Sequence, residues 1–208
     1  MQMLTLYGTK GSGSAAVEAA LTRAGMAYTG VDAASWNPGP GHDALLRVNP
    51  LGQIPTLVLA DGLVLTESAA ILIHLGLTCP PGLLLPLEAS ARARILRGLV
   101  YIAANCYAAI SVIDYPERWC EPCDDTMKVQ IRAGTRARLH EHWRVFADEF
   151  SIGFDAGSPG ALELLATVVS KWSGARAHLQ AERPAFFAQL QRVEQHPDVA
   201  PVFQRHWP

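Results

Sequence analysis

Charge is scarce in this chain. Only 17% of its 208 residues are Asp, Glu, Lys or Arg, against roughly a quarter in ordinary soluble domains. Neither sign prevails: 17 basic and 19 acidic side chains leave a formal charge of −2, so the chain has no electrostatic grip on a phosphate backbone or an anionic lipid surface. Cysteine is sparse as well. Four in the whole chain do not make the disulfide framework of a small secreted domain. There is no repeat of fixed period and no low-complexity tract, and the opening Met1-Gln2-Met3 has no basic or long apolar stretch of the signal-peptide kind. Of the two long uncharged runs, Ser68–Leu87 is broken by Cys79-Pro80-Pro81-Gly82, and adjacent prolines cannot continue a helix through hydrocarbon. The other, Gly98–Ile113, carries Asn105 and Ser111 and suits a buried core helix. These absences predict a soluble, cytoplasmic protein without nucleic-acid or membrane partners. What is abundant is apolar surface: at 50% of residues, it is enough to build the core of one large domain or two small ones.

Met3–Tyr7 and Tyr28–Val31 have strand character, and between them Val17, Ala20, Leu21 and Ala24 recur at helical spacing up to Gly25. Two prolines and two glycines mark 34–41 as a loop, and Leu45, Leu46 and Val48 form a short helical turn before Asn49-Pro50-Leu51-Gly52. Ile54–Leu59 and Leu63–Leu65 flank Asp61-Gly62, which predicts a two-residue hairpin. Thr66-Glu67-Ser68 opens a further helix. Residues 1–78 therefore read as a small α/β unit and 79–87 as a Pro/Gly-rich linker. Residues 88–208 read as all-helical, with helices over Glu88–Val112, Asp125–Phe150, Pro159–Ser173 and Pro184–Gln195.

Three motifs carry chemistry. Gly11-Ser12-Gly13-Ser14-Ala15-Ala16 fits G-x-G-x-x-G/A, with Asp32 about where a dinucleotide-binding unit places its ribose acid. An NAD-dependent oxidoreductase is therefore a rival, although a hairpin in place of a helical crossover disfavours it. In Gln53-Ile54-Pro55 a proline stands where a strand should pair, which points to a cis Ile54–Pro55 bond facing a ligand. Glu67-Ser68, at a helix start, is suited to hold a carboxylate and an ammonium, or to serve as a plain cap. Ser14 also reads as a helix cap. Cys120-Glu121-Pro122-Cys123 is a poor zinc site, without a second pair, and reads as incidental or redox-sensing thiols. His140-Glu141-His142 is a weak metal signal, because residues two apart face different sides of a helix.

Together these residues resemble the glutathione transferase family, in its bacterial cytosolic form. The layout matches over the whole chain, and the specific motifs lie in residues 3–75. The resemblance implies a thioredoxin-like N-terminal domain and an all-helical C-terminal domain, a homodimer, and a detoxification chemistry. In that chemistry the thiolate of glutathione, a co-substrate with no metal needed, attacks a small hydrophobic electrophile. It also implies a hydroxyl aimed at the sulfur, for which Ser12 and Tyr7 are the catalytic candidates. The remaining glutathione ligands would be Gln53, Ile54 and Pro55 for the cysteinyl unit, Glu67 and Ser68 for the γ-glutamyl end, and His42, or else Trp36, for the glycyl end. The electrophile would sit between the halves, near Tyr101, Tyr107, Tyr115 and Trp119. A thiol of pKa about 8.5 is ~3% ionised at pH 7, and lowering the pKa by roughly two units raises that to about 75%. The same site could run peroxide or disulfide reduction or isomerisation, or serve a binding or regulatory module without turnover. One departure from the family pattern is a late Ser/Thr-x-x-Asp cap: Ser158 is present, but Ala161 stands at the acid position and Glu163 lies two residues on.

Overall fold

The computed structural model describes residues 3–34 and 36–208. Met1 and Gln2, where the signal-peptide question falls, and Ser35, within the expected 34–41 loop, lie outside the described residues. Four strands form one sheet in the order β2-β1-β3-β4: β1 (Leu4–Gly8), β2 (Tyr28–Asp32), β3 (Thr56–Val58) and β4 (Val64–Leu65). β1 runs parallel to β2, with Leu6 opposite Gly30, and antiparallel to β3, with Leu6 opposite Leu57. β3 and β4 are antiparallel. This mixed sheet is not the doubly wound parallel sheet that binds dinucleotides, so the oxidoreductase reading fails at the level of the fold.

The hairpin is tighter in pairing and longer in loop than Asp61-Gly62 alone suggests. Leu59 N donates to Leu63 O at 2.8 Å, leaving Ala60-Asp61-Gly62 as a three-residue loop. Gly62 takes the left-handed conformation (φ 89°) that such a loop needs at its last position.

Helix α1 (Ser14–Arg23) packs on β1 and α3 (Ser68–Thr78) lies against α1, while α2 (Pro40–Val48) follows β2. α2 begins inside the expected loop because Pro40 occupies the first turn, where its missing N–H and fixed φ cost nothing. Gly13, not Ser14, caps α1; Ser14 is buried inside the first turn.

From Ala89 on, the described elements are helical. α4 (Ala89–Tyr101) runs through a π-helical turn, Ile102–Tyr107, into α5 (Ala108–Asp114); then come a 3-10 turn (Pro116–Trp119) and α6 (Asp125–Phe150). α7 (Ala161–Val169), α8 (Ala175–Glu182), α9 (Pro184–Gln195) and α10 (Ala200–His206) complete the chain. Asp124 caps α6 by accepting the Met127 N–H at 2.7 Å. The sequence pattern anticipates α6 and α9 but not α8 or α10, both short, and it runs α4 into α5 without the π turn.

Ala89–Asp114 is long and apolar enough to cross a membrane by length and composition. Ile95, Leu99, Ile102, Cys106, Ile110 and Ile113 form its buried stripe, as a core helix requires. α7 is buried at all nine positions and touches α1, α3, α4 and α9, so it is the shared core of sheet half and helical half. Its N-terminus corrects the expectation about the late cap. Gly160 is the capping residue, which puts Glu163 in register: its carboxylate accepts the N–H groups of Gly160 (3.0 Å) and Asp155 (3.1 Å). Burial pushes the Glu163 carboxyl above the usual carboxylate range despite these bonds.

Candidate functional site

A cleft of about 750 Å³ lies between the two halves. Its sheet-side wall is built from three short segments: Gly11–Gly13, Leu51–Pro55 and Thr66–Ala69. The helical half contributes Tyr107, Ile110, Asp114, Tyr115, Arg118, Leu165 and Trp172.

The 49–56 segment is shaped by a buried amide. Asn49 Nδ2 donates to Gln53 O and to Thr56 Oγ1, both at 3.0 Å, while Asn49 Oδ1 accepts the Leu51 N–H at 3.1 Å. Thr56 Oγ1 in turn donates to Gln53 O at 2.8 Å. With both sides of the loop pinned to one side chain, Gln53-Ile54-Pro55 is held against the cleft, and the Ile54–Pro55 peptide is cis as expected. Asn49 and Thr56 belong to the site's framework, and the sequence signal for them was the polar residue on either side of the proline motif.

Glu67 has φ 65°, unusual for a side chain with a Cβ, and its carboxylate makes no capping bond to α3. Such a backbone costs about 1–3 kcal/mol and survives where the surroundings impose it, often at ligand sites. Ser68 follows as the first residue of α3, buried, beside N–H groups that the helix leaves free at its start.

The hydroxyl candidates separate. Ser12 lines the cleft, but its Oγ donates to Thr9 O at 2.7 Å and lies 2.8 Å from Ser14 Oγ, so the hydroxyl is engaged inside its own turn. Tyr7 is not among the lining residues. Strand alternation explains this: Leu6 and Gly8 face α1, and Tyr7 faces the other side of the sheet. His42 likewise is not a lining residue; it stands behind the loop, next to Gly52, and Trp36 lines the cleft instead.

A phenol that the sequence placed only among the electrophile-pocket aromatics stands at the centre. A Cβ on Gly13 would collide with Tyr107 Oη and would lie 3.5 Å from Ser68 Oγ. The Tyr107 hydroxyl thus occupies the space a side chain at the start of α1 would fill. It does so because the π turn ends at Tyr107, and a widened turn re-aims the residues that follow the regular helix. Asn105, the polar residue in that apolar run, donates to Tyr101 O at 3.1 Å. Trp172 packs on the Tyr107 ring, centroids 5.7 Å apart. Burial pushes the Tyr107 phenol up to about 12, so it keeps its proton at neutral pH.

The other aromatics divide. Tyr115 lines the cleft with Arg118 stacked on its ring at 4.0 Å, whereas Trp119 is solvent-exposed. Tyr101 Oη donates to His142 O at 3.2 Å, and the His140 ring stacks on His178, so the His140–His142 pair turns to different neighbours. Among the described residues no cluster of three His, Cys, Asp or Glu could hold a metal.

Comparison with known proteins fits this architecture. Residues 14–77 match the family described as glutathione S-transferase, N-terminal domain. A GST-like protein of Escherichia coli K12, YncG, is 35% identical over 130 residues, 62% of this chain and 63% of its own length. Glutathione S-transferase GstA of Escherichia coli O157:H7 is 31% identical over 105 residues, 49% of this chain and 52% of its own. The matched region thus spans between half and two thirds of these relatives. A Sulfitobacter glutathione transferase homologue with bound glutathione has the same fold over 98% of both chains, with a TM-score of 0.77 at 23% identity. Residues 14–77 thus match the N-terminal domain of glutathione S-transferases, and the chain as a whole shares the fold of its glutathione transferase neighbours.

Proposed function

We propose that the cleft binds glutathione and activates its thiol for attack on a small hydrophobic electrophile. The observation that carries this is the convergence of Gln53-Ile54-Pro55, the strained Glu67, Ser68 and the buried Tyr107 hydroxyl around one cavity. Ile54 would pair with the cysteinyl backbone. Ser68 and the first N–H groups of α3 would take the γ-glutamyl carboxylate, and the uncapped Glu67 carboxylate its ammonium. Trp36 is placed to flank the glycyl end.

Tyr107 then donates to the sulfur. A phenol held protonated favours the thiolate over the thiol, the thiol proton passes to water, and the thiolate displaces a leaving group from the electrophile. One such donor supplies the ~25-fold gain in ionised thiol that neutral pH requires. Ser12 shapes the turn that carries Gly13. The electrophile would lie against Ile110, Tyr115, Leu165 and Trp172, a wall suited to an aromatic substrate. By family resemblance the protein works as a cytoplasmic homodimer.

The engaged Ser12 hydroxyl favours a second reading, a glutathione-binding module without turnover. Conjugation of glutathione to an activated aryl halide separates the two. Saturable turnover lost in Tyr107→Phe supports the transferase, and tight glutathione binding without turnover supports the module.

A further inference from the structure

Well outside the cleft, the Cys120-Glu121-Pro122-Cys123 motif closes on itself just before α6. Asp124 fixes the first turn of α6 through the Met127 N–H, and that turn brings the Met127 thioether 3.7 Å from the Cys120 sulfur. Cys123 stands three residues on from Cys120, directly before the Asp124 cap. Two sulfurs thus meet at the surface with a third on the same short motif, the two thiols partly exposed and Met127 41% exposed. Residues 117–128 also carry Glu117, Glu121, Asp124 and Asp125 against Arg118 and Lys128, and Lys128 is already paired to Asp125 at 3.1 Å. The local field therefore favours a cation.

We propose that Cys120, Cys123 and Met127 form a binding site for monovalent copper. A trigonal ion with metal–sulfur bonds of about 2.3 Å holds its sulfurs about 4 Å apart, which the 3.7 Å between Cys120 and Met127 matches. Zinc prefers four donors, and no His, Asp or Glu joins the cysteines among the described residues. Thiolate with thioether is instead the donor set that selects Cu(I). In binding, both thiols lose their protons to solvent, two metal–thiolate bonds and one metal–thioether bond form, and no electron is transferred. Affinity therefore rises with pH. Of the other two cysteines, Cys79 and Cys106 are buried and take no part.

The test is anaerobic titration of the fully reduced protein with Cu(I) against the chelator bathocuproine disulfonate. The expected result is one copper withdrawn per chain, with X-ray absorption reporting three sulfur neighbours. Cys120→Ser and Cys123→Ser should each abolish transfer, Met127→Leu should weaken it ~10-fold, and Cys79→Ser should leave it unchanged. Met127→Leu keeps a good helix former at an exposed position, and circular dichroism checks that it folds. No transfer to the wild-type protein, two-sulfur coordination unaffected by Met127→Leu, or tighter binding of zinc than of copper would each overturn the assignment.

Discussion

At the scale of single residues, the account turns on which hydroxyl meets the sulfur. Tyr107→Phe removes one proton donor from a buried, pre-shaped site, and loss of such a donor costs about 10²–10³ in turnover. Conjugation assays should show that loss, with glutathione affinity changed only a few-fold. Ser12→Ala should instead lower stability by about 1 kcal/mol, because a buried turn bond is lost, and leave turnover within a few-fold of wild type. A second contrast concerns Glu67. Glycine is at ease at φ 65°, so Glu67→Gly should raise the unfolding free energy by about 1 kcal/mol while weakening glutathione ~10-fold. Chemical denaturation and calorimetry on one preparation would read both effects, and a variant that is both less stable and equally tight would contradict the role given to Glu67.

The elements around the site were legible to different depths. The proline motif and Glu67-Ser68 could be read from the chain because cis-proline turns and helix starts are written locally. The π turn could not: it depends on how α4 and α5 pack, and its only local trace is Asn105 in an apolar run. That is why the chain by itself offers Tyr107 only as pocket lining and Ser12 or Tyr7 as the hydroxyl donor. Tyr7 is not among the cleft-lining residues: strand alternation puts it on the face opposite Leu6 and Gly8, and which face meets the cleft is set by α1, not by the strand itself. α10 escaped notice too, yet it anchors the Gly11 turn. The Gly11 N–H donates to His206 Nδ1 at 3.2 Å, which leaves the ring proton on Nε2, 2.7 Å from Glu18; Arg205 completes the cluster at 2.6 Å. Burial raises the Glu18 carboxyl, but the bonds from His206, Arg205 and Tyr28 outweigh it and hold the group down at about 2, against 4.5 ordinarily. A depressed carboxyl stabilises the fold above its unfolded pKa and stops doing so as pH falls through its folded one. Wild type should therefore exceed Glu18→Gln in melting temperature at pH 5 and above, and the gap should close between about pH 4.5 and 2. A gap that widens in acid would contradict this reading of the cluster. In the same way, Asn49→Ala should cost about 1–3 kcal/mol, since Gln53 O and Thr56 lose their shared partner, and should weaken glutathione binding through the loosened loop.

Across the whole molecule, the cleft exists only where the halves meet. The sheet half supplies the segments at Gly11–Gly13, Gln53–Pro55 and Glu67–Ser68, and the helical half reaches over with Tyr107 and Trp172. α7, buried throughout and in contact with α1 and α3, locks that juxtaposition. The overall architecture was readable from texture alone, strands giving way to long helices after the Pro/Gly-rich stretch. The shape of the cleft's helical wall was not, because it is assembled from α5, α7 and the segment beyond α7, whose mutual register no local pattern fixes. The central claim is that this composite cleft binds glutathione and ionises its thiol. It is tested most directly by titrating the folded protein with glutathione in a calorimeter, at neutral pH, in two buffers of different ionisation enthalpy. One site per chain with micromolar-to-millimolar affinity, and about 0.7 proton released on binding, is the predicted result. No binding, or binding that releases no proton, would contradict it.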